Sequence, residues 1–152
     1  MANGNTDLKQ ILETWKEDCQ IDRMRLDEDS RKTPILHAKY LELLSTTKLM
    51  LRKAEQGYQV LLKDKWMYYN GKMDQDTIIS KGWKDDPFDG LKVLKGDMDK
   101  FYEADEDIQK ASLQIAYLKT IEDTLKEIID NLKWRHQTIK NIIEWKRFES
   151  GG

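Results

Sequence analysis

The sequence predicts an all-α protein, with an extended protomer of two long amphipathic helices and an irregular loop region between them. Three observations support this fold class. Of the 152 residues, 36% are charged and 39% are hydrophobic, and only two are Pro and eight Gly, a composition typical of long solvated helices. Two segments repeat apolar residues at alternating steps of three and four. Between these segments, residues 71–107 hold four Gly and one Pro, which favours loops.

The opening segment predicts one short amphipathic helix with Thr6 as its N-cap. Four apolar positions share one face of this helix: Leu8, Ile11, Leu12 and Trp15. Residues 18–32 are dense in charges of both signs and show no clear period, so we expect a linker or a weak helix there.

Thr33 and Pro34 predict the start of the first long helix, because Thr is a favourable N-cap and Pro at the first helical position has its φ preset. The heptad stripe that follows consists of Leu36, Tyr40, Leu43, Thr47, Met50, Ala54, Gly57, Leu61, the polar Asp64 and Tyr68. A partial second stripe lies beside it, so we expect the helix to pack on more than one neighbour. Asn70 and Gly71 provide the C-terminal stop.

Residues 108–148 contain no Pro or Gly and predict a second helix of about 40 residues. Its seam has Leu at position a and Ile at position d, which disfavours a parallel two-stranded coil. We therefore expect a higher-order, coiled-coil-type homo-oligomer, formed through Leu118, Ile121, Leu125, Ile128, Leu132, Ile139 and Ile142. The chain thus divides into an N-terminal helical part (1–72), an irregular mobile connector with a possible short strand pair (73–107), and a C-terminal oligomerisation helix (108–152).

A row of basic residues faces away from this seam, at Lys119, Lys126, Lys133, Lys140 and Arg147. Two interpretations stay open, a solvated face balanced by nearby Asp and Glu or a surface for a partner or nucleic acid. The net charge of the chain is −2, so bulk charge does not indicate a nucleic-acid-binding protein, and any polyanion site must be a local patch.

Nothing in the sequence indicates an enzyme, a cofactor or a metal site. The phosphate-cradling Gly loop, GxSxG and HExxH are all absent. The single Cys19 excludes an intramolecular disulfide and is more typical of a small buried apolar residue than of a nucleophile. No secretory segment and no apolar run of about 20 residues is present, so we expect a soluble cytoplasmic protein.

The end of the first long helix is the candidate binding site for single-stranded DNA. Residues 62–72 interleave three lysines with three aromatic rings: Lys63, Lys65, Trp66, Tyr68, Tyr69 and Lys72. Such cations can follow phosphates while the rings stack on unpaired bases. The alternative is structural, with the tyrosines closing the hydrophobic face and the lysines extending from it to solvent.

The same stretch resembles the UvsY recombination mediators of T-even-type phages. Their signature is a Leu-Lys-x-basic stretch, followed by a Tyr-Tyr pair, a small residue, Gly and a basic residue. The match here runs through Leu62-Lys63-Asp64-Lys65 and Tyr68-Tyr69-Asn70-Gly71-Lys72. A looser likeness extends over most of the chain.

The resemblance implies a non-enzymatic mediator in the cytoplasm of a phage-infected bacterial host. Such a mediator binds single-stranded DNA and promotes loading of a RecA-like recombinase (UvsX-type) onto strands coated by single-strand-binding protein. The resemblance also implies a ring-like homo-oligomer, a hexamer or heptamer.

Carried over by residue, the family's DNA-binding basic pair falls on Lys63 and Lys65, the later basic position on Lys72, and the aromatic pair on Tyr68 and Tyr69. Lys65 stands where a member of the family has Arg, and acidic Asp64 where that member has a small residue, so phosphate binding is expected to be weaker and more sensitive to salt. The alternative function is a structural coiled-coil scaffold or assembly chaperone without a nucleic-acid role.

Overall fold

The computed structural model describes residues 7–151, which form helices and no strand. The elements are α1 (Leu8–Asp18), α2 (Leu26–Tyr69), α3 (Gln75–Ser80), a 3₁₀ turn (Lys95–Asp97), α4 (Met98–Glu103), α5 (Glu106–Lys133) and α6 (Arg135–Glu149). The prediction of an all-α protein with two long helices is confirmed. No helix in the described part of the chain is both long and apolar enough to cross a membrane.

The N-cap of α1 lies one residue after the predicted one. Thr6 lies outside the described residues, and Asp7 is the N-cap, accepting a hydrogen bond from the Lys9 amide at 3.2 Å. At its other end Cys19 is the C-cap and is exposed.

The predicted start of the first long helix at Thr33 and Pro34 is wrong, because α2 begins at Leu26 and contains Pro34. Three acidic residues in the first turn interact favourably with the positive end of the helix dipole. One of them, Asp29, is buried and accepts a hydrogen bond from the Asp22 amide at 2.5 Å, which holds the pKa of this carboxyl below its usual range. Helix α2 continues through Pro34, although this residue cannot donate a backbone hydrogen bond.

The connector between α2 and α5 forms short helices and turns, and its described residues contain no strand pair. Asp74 caps α3 by accepting a hydrogen bond from the Thr77 amide at 3.0 Å, a local contact that favours a helical turn at this point.

The predicted single helix over residues 108–148 is interrupted at Trp134, which separates α5 from α6. The next residue, Arg135, is 5% exposed, and its guanidinium donates to the carbonyls of Asp18, Cys19 and Gln20 at 3.4 to 3.5 Å. A tertiary contact with the end of α1 therefore lies at the point where the helix breaks.

The chain has two compact units. The first comprises Met1–Met50 and Leu118–Gly152, within the described residues. Its core consists of Ile11, Tyr40, Leu44, Ile121, Leu125, Ile128, Ile129 and Leu132. Trp15 packs edge-to-face on Tyr40 with ring centroids 5.4 Å apart, and the Tyr40 hydroxyl donates to Asp18 at 2.8 Å. Three helices of the unit, α1, α2 and α5, thus share one hydrophobic core.

The second unit is Leu51–Tyr117. Aromatic rings pack the connector onto the end of α2, with Tyr69 5.9 Å from Phe88 and Phe88 5.2 Å from Phe101, measured between ring centroids. The Tyr68 hydroxyl donates to the Lys84 carbonyl at 2.5 Å. The connector therefore shares a core with the candidate DNA-binding motif. The functional division into three parts, including a mobile connector, stays a prediction.

Candidate nucleic-acid interface

The basic-aromatic motif occupies the last turns of α2 in the second unit. The helix ends in a Schellman arrangement: the Lys72 amide donates to the Met67 carbonyl at 2.8 Å and the Gly71 amide to the Tyr68 carbonyl at 3.3 Å. Gly71 has φ +67°, a conformation that favours glycine. The predicted stop at Asn70 and Gly71 is confirmed, and it places Lys72 just beyond the helix end.

Three of the six predicted DNA-binding residues lie on the surface. The Lys63 side chain is 67% exposed, with its Nζ 3.5 Å from a carboxylate oxygen of Asp64. Trp66 is 48% exposed, an unusual degree for so large an apolar side chain. The Lys72 Nζ lies 4.5 Å from the centroid of the Trp66 ring. Two cations and one accessible ring are therefore available to a bound strand.

The other three, Lys65, Tyr68 and Tyr69, point into the second unit. Lys65 is 4% exposed, and its Nζ lies 3.0 Å from Asp105 Oδ2 and 2.9 Å from Asp107 Oδ2. In this conformation the ammonium group is held by two carboxylates, and a phosphate contact would require these ion pairs to open. The role of Lys65 in DNA binding stays a prediction.

Aromatic rings complete the surroundings of Lys65. Its Nζ is 4.0 Å from the centroid of the Trp83 ring and 5.5 Å from that of Tyr68. A buried ammonium group is favourable only with such compensation, since removal from water costs several kcal/mol. The carboxylates neutralise the charge, and the ring faces add a favourable electrostatic contact.

Asp105 connects this network to α5. Its Oδ2 accepts a hydrogen bond from the Tyr69 hydroxyl at 2.7 Å, and its Oδ1 accepts from the Ile108 amide at 3.1 Å, at the start of the helix. Burial alone would raise the pKa of Asp105, but the bonds from Tyr69, Lys65 and Ile108 outweigh it and lower the pKa below its usual range. Burial and the bond to Asp105 raise the pKa of Tyr69.

The sequence did not reveal the partners of Lys65. Asp105 precedes a helix at a spacing typical of an N-cap, a signal that could have predicted the cap. Its ion pair with Lys65 crosses forty positions and has no local signal. Lys95 and Tyr102, which lie beside Trp66 in the second unit, were also missed because they belong to the irregular connector.

The residues predicted to mediate oligomerisation lie in the first unit, and six of them are buried there: Leu118, Ile121, Leu125, Ile128, Leu132 and Ile139. Ile142 is half-buried. Four of the six belong to the protomer's own core, so their burial needs no second copy. Their role in assembly stays a prediction.

The basic row is exposed along α5 and α6 at Lys119, Lys126, Lys133, Lys140 and Arg147. Lys126 pairs with Glu122 at 3.1 Å and Lys133 with Asp130 at 3.3 Å. These pairs fit a solvated face, and a binding role for the row stays a prediction. Within residues 7–151, no group of three or more His, Cys, Asp or Glu side chains is placed to hold a metal ion.

Comparison with known proteins adds to this geometry. Residues 14–152 match the model of a family described as the recombination, repair and single-stranded-DNA-binding protein UvsY. The chain belongs to the UvsY family. It is 27% identical over 144 residues to the recombination protein uvsY of Enterobacteria phage T4, across 95% of this chain and 98% of the relative.

Solved UvsY structures also share the fold. A crystal structure of the bacteriophage T4 recombination mediator protein UvsY (lattice type II) aligns with a TM-score of 0.77 and 26% identity, covering 97% of this chain and all of that one. Another (lattice type I) aligns with a TM-score of 0.74 and 27% identity, covering 91% of this chain and 98% of that one. The helical architecture is therefore that of UvsY.

Replacing Lys65 with Met should destabilise the second unit, because the change leaves Asp105 charged and buried without its closest cation. The expected loss in free energy of unfolding is about 3 kcal/mol. Urea unfolding followed by tryptophan fluorescence would measure it. The matched control is Lys63→Met on the same helix, which should stay within about 0.5 kcal/mol of wild type. Equal midpoints for the two variants would contradict a structural role for Lys65.

The lowered pKa of Asp105 predicts a loss of stability in acid. An Asp whose folded-state pKa lies below its unfolded value of about 3.9 stabilises the fold above that value, and the contribution disappears as pH falls through the folded-state pKa. Urea midpoints measured from neutral pH down through this range should fall less steeply in Asp105→Asn than in wild type. Exposed Asp85→Asn is the control and should follow wild type. Parallel profiles for all three proteins would exclude Asp105 as a source of the acid sensitivity.

Proposed function

We propose that this protein is a non-enzymatic recombination mediator. It binds single-stranded DNA and promotes loading of a RecA-like recombinase of the UvsX type onto strands coated by single-strand-binding protein. Membership of the UvsY family supports the general role. The observation that carries the binding proposal is the exposed group of Lys63, Trp66 and Lys72 at the end of α2, which offers two cations and a ring.

One such group is a weak site. The chain has a net charge of −2, and the side chain of Asp64 lies beside Lys63, so long-range attraction to a polyanion is small. A ring-like homo-oligomer, a hexamer or heptamer, overcomes this weakness because it presents one group per copy to the same strand. After the first contact each further contact is intramolecular, so modest sites can combine into high avidity.

Helix α6 offers a surface for such an assembly. Trp145 and Phe148 are 58% and 74% exposed, and their rings stack with centroids 5.5 Å apart. Ile143 is also exposed on the same helix. A second copy of the chain that covers these side chains would remove apolar surface from water. This surface adds to the predicted seam of α5 and α6, most of which is buried within the protomer.

The mechanism that we propose requires no covalent step. The strand binds several copies at once, and these contacts compete with the coating protein for the phosphates and bases. The strand segments freed in this way are held extended for the recombinase. The partners are therefore single-stranded DNA, the recombinase and the single-strand-binding protein, in the cytoplasm of the infected bacterial host.

Binding of oligo-dT should depend on salt through Lys63 and Lys72. Each phosphate contact to a single strand contributes about 0.7 to the magnitude of the slope of log affinity against log salt concentration. For a strand that spans one copy, Lys63→Ala/Lys72→Ala removes two such contacts and should lower this magnitude by about 1.4. Fluorescence anisotropy of a short labelled oligo-dT at several salt concentrations measures this slope. Lys48→Ala, an exposed lysine elsewhere on α2, is the control. An unchanged slope in the double variant would refute the assignment, and absence of binding by wild type would favour the scaffold or assembly chaperone.

Loading of the recombinase tests the finer role. Wild-type protein should shorten the lag before a RecA-like recombinase of the UvsX type becomes active on strands coated by single-strand-binding protein, measured by its DNA-dependent ATP hydrolysis. Lys63→Ala/Lys72→Ala should leave the lag nearly as long as without the protein, although sedimentation velocity shows the same assembly as wild type. If wild type binds oligo-dT but leaves the lag unchanged, the protein binds DNA without mediating loading.

A further inference from the structure

A cleft of about 550 Å³ opens beside the exposed ring of Trp66 in the second unit. Its walls include three aromatic side chains, Trp66, Tyr69 and Tyr102, and its polar groups include Lys72, Lys95 and Asp99. The volume lies within the range of small-molecule sites in proteins. Trp66 and Lys72 also belong to the exposed group that supports the proposed function, whereas Lys95 and the cleft itself are new.

We propose that this cleft takes one unstacked nucleobase of the bound strand. The base stacks on Trp66, and the two phosphates that flank it lie against Lys72 and Lys95 at the rim. This inference rests on the proposed binding of single-stranded DNA and adds a defined contact to the base. It predicts that the protein distinguishes a strand with bases from a backbone that lacks them.

The walls of the cleft are held in place before any strand binds. The Tyr69 hydroxyl donates to Asp105 at 2.7 Å, and the Tyr102 hydroxyl donates to the Leu62 carbonyl at 3.0 Å. The two rings meet edge-to-face with centroids 6.4 Å apart. Because these side chains are already ordered, an entering base loses less free energy to the ordering of protein groups.

The charges of the cleft suit a base flanked by two phosphates. The ammonium groups of Lys72 and Lys95 attract phosphates, whereas the Asp99 carboxylate repels a phosphate that comes close to it and imposes no such penalty on a neutral base. Among residues 7–151, neither Lys72 nor Lys95 forms an ion pair, so both ammonium groups are available to phosphates. The Lys72 Nζ now lies over the Trp66 ring. An exposed cation–π contact is weaker than base stacking, so a base can replace the ammonium group as that group moves to a phosphate.

The test compares a short oligo-dT with an abasic strand of equal length, in fluorescence anisotropy with wild type, Trp66→Leu and Trp66→Phe. Wild type should bind oligo-dT roughly 5- to 150-fold more tightly than the abasic strand, the range expected for one stacked base. Trp66→Leu should lose most of this preference while keeping the wild-type salt slope, because no phosphate contact is removed. Trp66→Phe should keep most of the preference. Trp134→Leu, which removes an exposed ring of the first unit, is the matched control and should bind like wild type.

Lys95→Gln tests the phosphate contact at the rim independently of the base contact. It should weaken binding to both strands by the same factor and lower the salt slope by about 0.7, since it removes one phosphate contact. Urea midpoints close to wild type for each variant show that the fold is kept. The base site would be overturned if wild type bound both strands equally and Trp66→Leu bound them like wild type. The proposed function would still stand in that case, provided that Lys63→Ala/Lys72→Ala binds oligo-dT more weakly than wild type. If wild type binds neither strand, the proposed function itself fails.

Discussion

The second unit depends on the burial of one ammonium group. Lys65 is almost without solvent contact, and such a charge is tolerated only where carboxylates replace the lost water. Asp105 and Asp107 meet this requirement, and Asp105 also caps α5 and orients Tyr69. One ion-paired cluster therefore joins the end of α2 to the start of α5. The exposed residues at the end of α2 therefore lie on a helix whose buried side chains, Lys65 and Tyr69, are held by Asp105.

This arrangement changes how the basic-aromatic motif is interpreted. The stretch combines two kinds of residue at neighbouring positions, with Lys63, Trp66 and Lys72 exposed and Lys65, Tyr68 and Tyr69 packed within the unit. A supporting residue can influence DNA binding without touching the strand, because its loss moves the residues that do. Stability and binding therefore have to be measured together for every variant of this motif.

The sequence was most informative where structure is local. Apolar spacing predicted the two long helices, and Asn70 with Gly71 predicted the end of α2, since helix periodicity and a left-handed glycine depend on nearby residues. Helix α2 begins before Pro34, and the helix break falls at Trp134. Near these points Asp29 and Arg135 contact residues outside their own helices, and such contacts have no local signal in the sequence. For the site, residue types indicated cations and rings, but only the tertiary structure separated buried members from exposed ones.

The exposed cysteine at the end of α1 has a practical consequence. Cys19 is the one cysteine of the chain, and its backbone is fixed by the hydrogen bond from Arg135 to its carbonyl. A maleimide dye would therefore attach once per copy, at a defined point of the first unit, whereas the motif on α2 belongs to the second unit. Stepwise photobleaching of particles labelled in this way would count the subunits one molecule at a time, without an engineered thiol.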